Sequence, residues 1–244
     1  MKGRGASKIM VLLGAPGSGK GTICTRIKKD FNNIVQLSTG DLLRAHVRDR
    51  TPIGKQAKDI MEKGGLVPDA VLFALLEKEM SNLSNEPDHH ILLDGFPRTV
   101  PQAIEFNSRW KVNAVISLDV PNQTVIDRIS NRWYHPSSGR CYARDYNPEK
   151  KLGFDDITGE PLQQRADDKA DTVKRRLEVY DQMKDPLLQF YNELEEVVVG
   201  RFAGTESNVI YPKVKEFLKT DVAISPTHWI VTPGVPNKIL LQYY

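Results

Sequence analysis

A short apolar run, Ile9–Leu13, begins the regular pattern of the chain, and a glycine-rich segment follows it directly. A continuous apolar run of this length is typical of a strand buried on both faces of a parallel sheet. Beyond the glycines, Ile23, Ile27 and Phe31 recur at four-residue steps, which places them on one face of a helix over residues 20–31. The pattern therefore predicts a strand, a glycine-rich turn and a helix in succession.

Further strand and helix patterns alternate towards the C-terminus. The runs Ile91–Asp94 and Ala114–Val120 predict central strands, and each is followed by a helical pattern. Val197–Val199 and its neighbours predict a last strand, and Ile210–Leu218 predicts a last helix. Strands that alternate with helices favour an α/β fold with a parallel sheet.

Two segments interrupt this alternation. Residues 38–67 carry mainly helical patterns and no apolar strand run, whereas residues 133–168 are rich in proline, glycine, aspartate and tyrosine and offer few aliphatic side chains for a core. The second segment is longer than an ordinary connection, and such segments are more often functional lids. The tail, residues 220–244, contains three prolines and scattered aromatic residues, and its pattern indicates no function.

Composition narrows the class of protein. Of 244 residues, 40% are hydrophobic and 27% are charged, which is ordinary for a soluble globular chain. The formal net charge is only +3, so no general binding to nucleic acid or other polyanions is expected. No run approaches the roughly 18 apolar residues of a membrane span. Cys24 and Cys141 lie far apart and are predicted to be free thiols in a reducing compartment.

The glycine-rich segment Gly14–Thr22 reads Gly-Ala-Pro-Gly-Ser-Gly-Lys-Gly-Thr. Between a strand and a helix, this spacing predicts a phosphate-binding loop, because glycines let successive backbone N–H groups point at phosphate oxygens and the positive end of the helix adds to the attraction. Lys20 supplies a mobile charge for the β- and γ-phosphates. A plain tight turn is the alternative, but three glycines and a lysine at these spacings rarely arise by chance.

The residue after Lys20 is Gly21, where the common phosphate-loop pattern has serine or threonine. The usual hydroxyl ligand of Mg²⁺ is therefore absent at that position. We expect Mg²⁺ to be held mainly by phosphates and waters, without a direct protein ligand, and to be oriented by Asp94 at the end of a predicted strand. A strand-end carboxylate that only accepts hydrogen bonds is the alternative role for Asp94.

Five segments resemble the defining segments of adenylate kinases. They are Gly14–Thr22, Ser38–Arg44, Asp94–Thr99 with Gln102, Arg132–Arg140 and Asp155–Asp168. The segments occur in the family's order, and the resemblance covers about residues 9–219. Five motifs that agree together are very specific.

The resemblance implies the fold of a P-loop nucleoside monophosphate kinase, with a parallel five-stranded sheet flanked by helices and two insertions. Residues 1–37, 68–132 and 169–219 would form the core, residues 38–67 the AMP-binding insertion, and residues 133–168 the lid. The implied reaction is reversible transfer of the γ-phosphoryl group from a nucleoside triphosphate, carried with Mg²⁺, to AMP.

The resemblance also assigns residues to the two nucleotides. AMP would be held by Thr39, Arg44, Gly65, Leu66, Val67, Gly95, Phe96, Pro97, Arg98, Gln102, Arg165 and Arg176. The donor would be held by Gly17, Ser18, Gly19, Lys20, Gly21, Thr22, Arg128, Arg132, Cys141, Tyr142, Thr205 and Glu206. The catalytic groups would be Lys20, Asp94, Arg98, Arg128, Arg132, Arg165, Asp167, Asp168 and Arg176.

Arginine suits the binding of a phosphoryl group during its transfer. Phosphoryl transfer depends on positioning and on charge around the equatorial oxygens, and a planar guanidinium binds phosphate oxygens in pairs. The candidate arginines are spread along the sequence, so they can converge only if the lid and the insertion close, which also excludes water. Asp167 and Asp168 follow the lid arginine, Arg165, and are expected to set lid closure or arginine position.

The lid offers a choice between zinc and hydrogen bonds. Some adenylate kinases hold this segment with zinc through four cysteines, whereas the corresponding residues here are His135, Ser138, Asp155 and Thr158. Serine and threonine are poor zinc ligands. We therefore predict a hydrogen-bond network among these four side chains, and no zinc.

Within the family, the resemblance is closest to the GTP:AMP phosphotransferases of the mitochondrial matrix. Gly204–Pro212 and Trp133–Tyr134 carry this resemblance, and an ATP-preferring adenylate kinase remains the alternative. Backbone groups near Thr205 and Glu206 would read the donor base, and Gln102 would bond the amino edge of adenine in AMP. The basic, acid-free first 29 residues suit import into mitochondria and equally suit a cytosolic protein. The family implies a monomer.

Other classes of nucleotide-binding protein fit the sequence less well. A GTPase switch would need a guanine-reading Asn-Lys-x-Asp segment, but Asn237-Lys238 continues as Ile-Leu. A nucleotide sensor without activity would be expected to lack Lys20 or the phosphate arginines. Uridylate and cytidylate kinases usually have a short lid, unlike residues 133–168.

Overall fold

The computed structural model describes residues 7–84, 89–143 and 147–224. Most of the tail, for which the sequence indicates no function, lies outside these ranges. Among the described helices, none combines the length and the apolar composition that crossing a membrane requires.

The described strands form one five-stranded sheet and one small hairpin. The strands are β1 (Ile9–Gly14), β2 (Ile34–Ser38), β3 (His90–Asp94), β4 (Ala114–Asp119), β5 (Arg132–Tyr134), β6 (Cys141–Ala143) and β7 (Val198–Ala203). The five-stranded sheet has the order β2-β3-β1-β4-β7, and every neighbouring pair in it is parallel. This confirms the parallel sheet that the sequence pattern predicts and the five strands that the family resemblance implies.

Helices cover both faces of the sheet. They are α1 (Lys20–Asp30), α2 (Thr39–Arg48), α3 (Pro52–Glu62), α4 (Asp69–Ser84), α5 (Val100–Arg109), α6 (Asn122–Ser130), α7 (Ala170–Asn192) and α8 (Ser207–Thr220), with a 3₁₀ turn over Ala166–Asp168. Helices α2 and α3 lie in the segment assigned to the AMP-binding insertion, and the β5–β6 hairpin lies in the segment assigned to the lid.

Strand β1 explains why its sequence is continuously apolar. Met10 and Leu12 belong to one hydrophobic cluster, whereas Val11 and Leu13 belong to a second cluster on the opposite face of the sheet. Alternate side chains of a strand point to opposite faces, so a central strand covered by helices on both sides needs an apolar residue at every position. All four side chains are buried.

The sequence pattern did not predict two elements, strand β2 and the β5–β6 hairpin. In β2, only Ile34 and Leu37 are buried, and the strand pairs with β3 alone at the edge of the sheet. A partly exposed edge strand need not be continuously apolar, so no strand was predicted there. The hairpin was missed because each of its strands has only three residues, paired through Trp133 and Tyr142 at the centre.

The topology fixes where a site can form. Strand β1 lies between β3 and β4 in the sheet. The connections that leave the carboxyl ends of these neighbouring strands therefore diverge around a crevice. The carboxyl ends of β1 and β3 carry Gly14 and Asp94. The glycine-rich loop therefore begins at the point where α/β folds most often bind ligands.

Candidate active site

The loop between β1 and α1 depends on glycine at two positions. Gly17 and Gly19 have φ angles of +80° and +93°, in the left-handed region that favours glycine. A Cβ atom on Gly17 would lie 2.6 Å from the Ile129 side chain. These glycines let the backbone wrap into the curved loop that the sequence predicts.

Lys20 lies across this loop at the start of α1. Its ammonium group donates to the carbonyl oxygens of Gly14 and Ala15 at 2.8 and 2.9 Å. Burial lowers the pKa of Lys20 to about 8, and Asp94 only partly offsets the effect. An anion bound at the loop would therefore stabilise the charged form of this lysine.

Asp94 is the acidic group closest to this chemistry. It is buried at the end of β3 and accepts a hydrogen bond from Gln36 Nε2 at 3.2 Å. Burial raises the pKa of Asp94, while the nearby Lys20 acts in the opposite direction.

The site fits Mg²⁺ that arrives with a nucleotide. Among the described residues, no group of three or more His, Cys, Asp or Glu side chains could hold a metal. Phosphate oxygens and waters would form the shell of the metal, and the Asp94 carboxylate could accept hydrogen bonds from those waters. A Cβ atom on Gly21 would meet nothing within 4 Å, so the cleft is open where other phosphate loops carry a hydroxyl.

A single cleft of about 840 Å³ brings the predicted cationic residues together. Its lining includes Lys20, Arg44, Arg98, Arg128, Arg132, Arg165 and Arg176. Burial lowers the pKa of Arg98 to about 10, and the nearby Arg176 and Arg44 add to the effect. The cleft is thus a strongly positive site, and such a site suits a multiply charged anion.

Two carboxylates hold two of these arginines. Arg132 binds both carboxylate oxygens of Asp168, with Nε to Oδ2 at 2.9 Å. Arg176 donates to Asp167 Oδ2 at 2.6 Å. Burial acts to raise the pKa of Asp167, but Arg176 and Arg44 hold that pKa below its usual value. The guanidinium groups are therefore oriented before any substrate binds.

A smaller hollow adjoins the main cleft on the side of α2 and α3. It is lined by Thr39, Gly40, Leu43, Arg44, Met61, Gly64, Gly65, Leu66, Val67, Leu72, Arg98, Asp167 and Arg176. Thr39 Oγ1 donates to the carbonyl of Gly95 at 3.1 Å, which fixes the wall between α2 and the end of β3. Arg44, Arg98 and Arg176 line both spaces, so they lie where two bound anions would meet.

Other residues assigned to the AMP site lie apart from these hollows. Phe96 is fully buried and packs edge-on against Phe73 and Phe106, with ring centroids 5.4 and 5.7 Å apart. Gln102 is 1% exposed, accepts from the Arg98 N–H at 2.8 Å and donates to Asp69 Oδ1 at 2.7 Å. Gln102 thus fixes the segment that carries Arg98, and its contact with adenine stays a prediction.

Arg128 links the main cleft to the segment of Thr205 and Glu206, which is predicted to read the donor base. Its guanidinium donates to the carbonyl oxygen of Thr205, while Glu206 is exposed, and neither Thr205 nor Glu206 lines the main cleft. Cys141 is exposed and accepts a contact from Arg165 Nη2 at 3.2 Å. The main cleft is also lined by Gly17, Gly19, Gly21, Thr22, Gly95, Pro97, Cys141 and Tyr142, whereas Ser18 is buried beside Gly14.

In the segment predicted to form the lid, hydrogen bonds link the four predicted side chains. His135 Nδ1 lies 2.8 Å from Ser138 Oγ, and Thr158 Oγ1 donates to Asp155 Oδ2 at 3.0 Å. His135 Nε2 is 3.3 Å from Thr158 Oγ1. Together these contacts tie the hairpin to the second half of the lid.

Sequence reasoning missed further members of this network. Arg140 donates to both carboxylate oxygens of Asp155, Tyr142 donates to the same carboxylate at 2.8 Å, and His135 Nε2 contacts Glu160. Arg140 ends one of the quoted motifs, but nothing in the sequence pairs it with Asp155. Only the fold brings the two together.

Comparisons with known proteins identify the family of this chain. The family model described as adenylate kinase matches residues 12–196. The mitochondrial GTP:AMP phosphotransferase of Drosophila melanogaster is 42% identical over 208 residues, which are 85% of this chain and 94% of that protein. Adenylate kinases of two Coxiella burnetii strains are each 49% identical over 189 residues, covering 76% of this chain and 80% of theirs. The chain therefore belongs to the adenylate kinase family.

Proposed function

We propose that this chain transfers the γ-phosphoryl group of a nucleoside triphosphate, GTP in preference to ATP, reversibly to AMP. One observation carries the proposal: Lys20 and all six predicted arginines are among the residues that line a single cleft between the phosphate loop and the hollow beside α2 and α3. A site for one phosphate needs fewer cations. Two neighbouring hollows that share three arginines suit two nucleotides whose phosphates meet end to end.

Each group then has a physical task. The loop N–H groups and Lys20 hold the donor phosphates, and the shared Arg44, Arg98 and Arg176 hold the acceptor phosphate in line. Arg132, held by Asp168, faces the transferring group together with Arg128 and Arg165. Bound Mg²⁺ would supply charge neutralisation on the donor phosphates, with Asp94 orienting it.

Contacts made by the two insertions support closure around the substrates. Arg48 Nη1, at the end of α2, donates to the lid carbonyl of Pro136 at 3.4 Å. A second contact joins the AMP-binding segment to the core: Thr172 Oγ1 of α7 donates to the backbone carbonyl oxygen of Glu62 in α3 at 3.2 Å. Residues 38–67 and 133–168 would be the mobile parts, and closure would exclude water that competes with AMP.

Activity tests this proposal directly. Purified protein is incubated with AMP, Mg²⁺ and either GTP or ATP, and formation of ADP from AMP is measured. We expect turnover with both donors and a higher kcat/KM with GTP. Absence of AMP phosphorylation with either donor would sink the kinase assignment.

Lys20→Met tests the role of the Lys20 ammonium group in turnover. It removes the ammonium group but keeps a side chain of similar length, so the fold is expected to survive. We expect turnover to be abolished and the melting temperature to change little. Near-normal turnover would contradict the role of Lys20 at the phosphates.

The preference for GTP is supported by the similarity to a relative named as a GTP:AMP phosphotransferase, whereas the relatives named adenylate kinases support ATP as the alternative. The mitochondrial relative also supports the mitochondrial matrix as the compartment. Fractionation of cells that express the tagged chain tests the compartment: recovery with matrix markers is expected, and recovery only in the cytosolic fraction contradicts it.

The chain is further proposed to act as a monomer and to bind no zinc. Light scattering at micromolar concentration is expected to give the mass of one chain, 27.5 kDa. Metal analysis of the purified protein is expected to find no zinc. Stoichiometric zinc would overturn the hydrogen-bonded description of the lid.

A further inference from the structure

One hydrogen bond joins the first turns of α4 and α5. Gln102 Nε2, in α5, donates to Oδ1 of Asp69, the first residue of α4, at 2.7 Å. Gln102 is 1% exposed, whereas Asp69 is exposed, so the bond ties a buried amide to a carboxylate at the surface. The segment assigned to the AMP-binding insertion ends at residue 67. Asp69 therefore lies at the junction between that segment and the core.

The oxygen of the Gln102 amide holds the backbone of Arg98. Thr99 is the N-cap of α5, and its side chain accepts from the Gln102 N–H at 3.3 Å. A glutamine three residues after an N-cap threonine commonly reaches back to a free backbone N–H. Here Gln102 Oε1 accepts from the Arg98 N–H at 2.8 Å. The Gln102 amide thus bridges Asp69 and the peptide group that carries Arg98.

The two partners leave one orientation for this amide. A carboxylate only accepts hydrogen bonds and a backbone N–H only donates them, so the amide NH₂ faces Asp69 and the amide oxygen faces Arg98. A flipped amide would set oxygen against carboxylate and NH₂ against N–H. Removal of the Asp69 carboxylate therefore removes half of the restraint that keeps the amide oxygen on the Arg98 N–H.

Arg98 is the group whose placement depends on this bridge. It lines both the main cleft and the smaller hollow, and its Nε donates to the carbonyl oxygen of Gly95 at 2.8 Å. In the proposed reaction Arg98 holds the acceptor phosphate in line with the donor. In-line transfer is sensitive to displacements of about 1 Å, so freedom in the Arg98 backbone would reach the reacting atoms.

We propose that Asp69 is a positioning residue for phosphoryl transfer, which acts through Gln102 to hold Arg98 at the acceptor phosphate. Asp69 lines neither hollow, so this role needs no contact with a nucleotide. Its place beside residues 38–67 links the position of Arg98 to the segment that would close on AMP. This inference rests on the proposed function, because Arg98 has this task only in that reaction.

The rate of the transfer step, measured in single turnovers at saturating AMP, tests the role of Asp69. For Asp69→Ala we expect this rate to fall about fivefold, while Asp69→Asn keeps an acceptor oxygen and should retain most of the rate. Asp171→Ala is the matched control, because Asp171 is also exposed in the first turn of a helix, α7, and should leave the rate unchanged. Melting temperatures check that each variant keeps its fold.

Exchange of donor and acceptor tests the bond between the two side chains. Gln102→Glu sets two carboxylates against each other, so we expect the rate to fall at least as far as in Asp69→Ala. Addition of Asp69→Asn places a donor opposite the new carboxylate and keeps the total charge of the pair, so the rate should recover severalfold. Absence of recovery in this double variant would overturn the inference.

A double-mutant cycle tests whether the effect passes through Arg98. In the Arg98→Lys background, Asp69→Ala should change the rate less than about twofold, because the guanidinium that it positions is gone. Losses that add in the cycle, or a lower melting temperature with an unchanged rate, would show that Asp69 is structural.

Exchange of the Arg98 amide hydrogen, followed by NMR, reports the bridge without turnover. We expect exchange to be about tenfold faster in Asp69→Ala and to be slowed again in the double variant that exchanges donor and acceptor. Missing phosphoryl transfer in the wild type would count against the proposed function. Equal protection of this amide in the wild type and Asp69→Ala would count against Asp69.

Discussion

Arg140 binds both carboxylate oxygens of Asp155 at 2.8 and 2.6 Å, and the Asp155 side chain is fully shielded from solvent. The same carboxylate accepts from Tyr142 and from the backbone N–H groups of Ile157 and Thr158. Charged groups shielded from water in this way are stable only when fully paired. Asp155 is therefore the centre around which the lid is organised.

Removal of Arg140 should loosen the lid more than the core. Arg140→Ala leaves Asp155 without its cationic partner, so we expect amide hydrogens of residues 133–165 to exchange about tenfold faster or more, while β1 and β4 are unaffected. Arg201→Ala is the matched control, because the exposed Arg201 pairs with Asp119, at the end of β4, at 3.1 Å. Equal protection of the lid in the two variants would contradict the central role of Asp155.

Acid should open the lid before it unfolds the core. Arg140, together with the N–H and hydroxyl groups of Thr158 and Tyr142, holds the pKa of Asp155 well below its usual range. A lowered pKa contributes stability that is present above the unfolded-state pKa, about 4, and is lost as the pH falls towards the folded-state pKa.

Exchange of the lid amides is measured from pH 5 downwards, after correction for the intrinsic rate. We expect protection in the wild type to decline below about pH 4. In Asp155→Asn, protection should be low throughout and should lack that decline. A decline of the same size in the variant would assign it to other carboxylates.

Nucleotide binding should take up a proton at Lys20. Burial lowers the pKa of Lys20 to about 8 in the free protein, and phosphates at the loop would raise it. Proton uptake should therefore be small at pH 7 and approach one proton near pH 9, where the phosphates are fully ionised. Calorimetry of GTP binding in buffers of different ionisation enthalpy measures the uptake, and Lys20→Met should abolish it. Uptake that does not rise between pH 7 and pH 9 would contradict the assignment.

Asp168 should act through Arg132. Asp168→Asn keeps the shape of the side chain but weakens the paired contact with the guanidinium, so Arg132 would lose its fixed position. We expect kcat to fall about tenfold or more and the KM for AMP to change little. Asp127→Asn is the control, because Asp127 is exposed and accepts only from Gln123 among the contacts described. A loss of stability without a loss of kcat would show that Asp168 is structural.

Gly21→Ala should raise the stability of the protein and weaken its binding of the donor. Nothing lies within 4 Å of a Cβ atom at Gly21, and alanine is the better helix former, so the free energy of unfolding should rise by about 0.5 kcal/mol. The added methyl group would occupy open space in the cleft, so we expect the KM for GTP to rise as well. Thermal unfolding and steady-state kinetics measure the two effects. An unchanged KM for GTP would show that the phosphates of GTP do not lie beside Gly21.

Much of the core could be predicted from the sequence. Runs such as Ile9–Leu13 must be buried on both faces, and the spacing of Gly17, Gly19 and Lys20 has few uses other than phosphate binding. Edge strand β2 could not be found in this way, because only Ile34 and Leu37 of its residues are buried. A pattern of two buried positions does not distinguish a strand from a turn of helix.

The sequence by itself determined the phosphate loop, the α/β alternation and the set of arginines, because these depend on local spacing and on residue chemistry. Only the tertiary structure decided which groups meet: Arg140 with Asp155, Gln102 with the Arg98 backbone, and Asp69 with Gln102. Such pairs join residues on different elements, and their distances depend on how the elements pack. No local pattern in the chain records that packing.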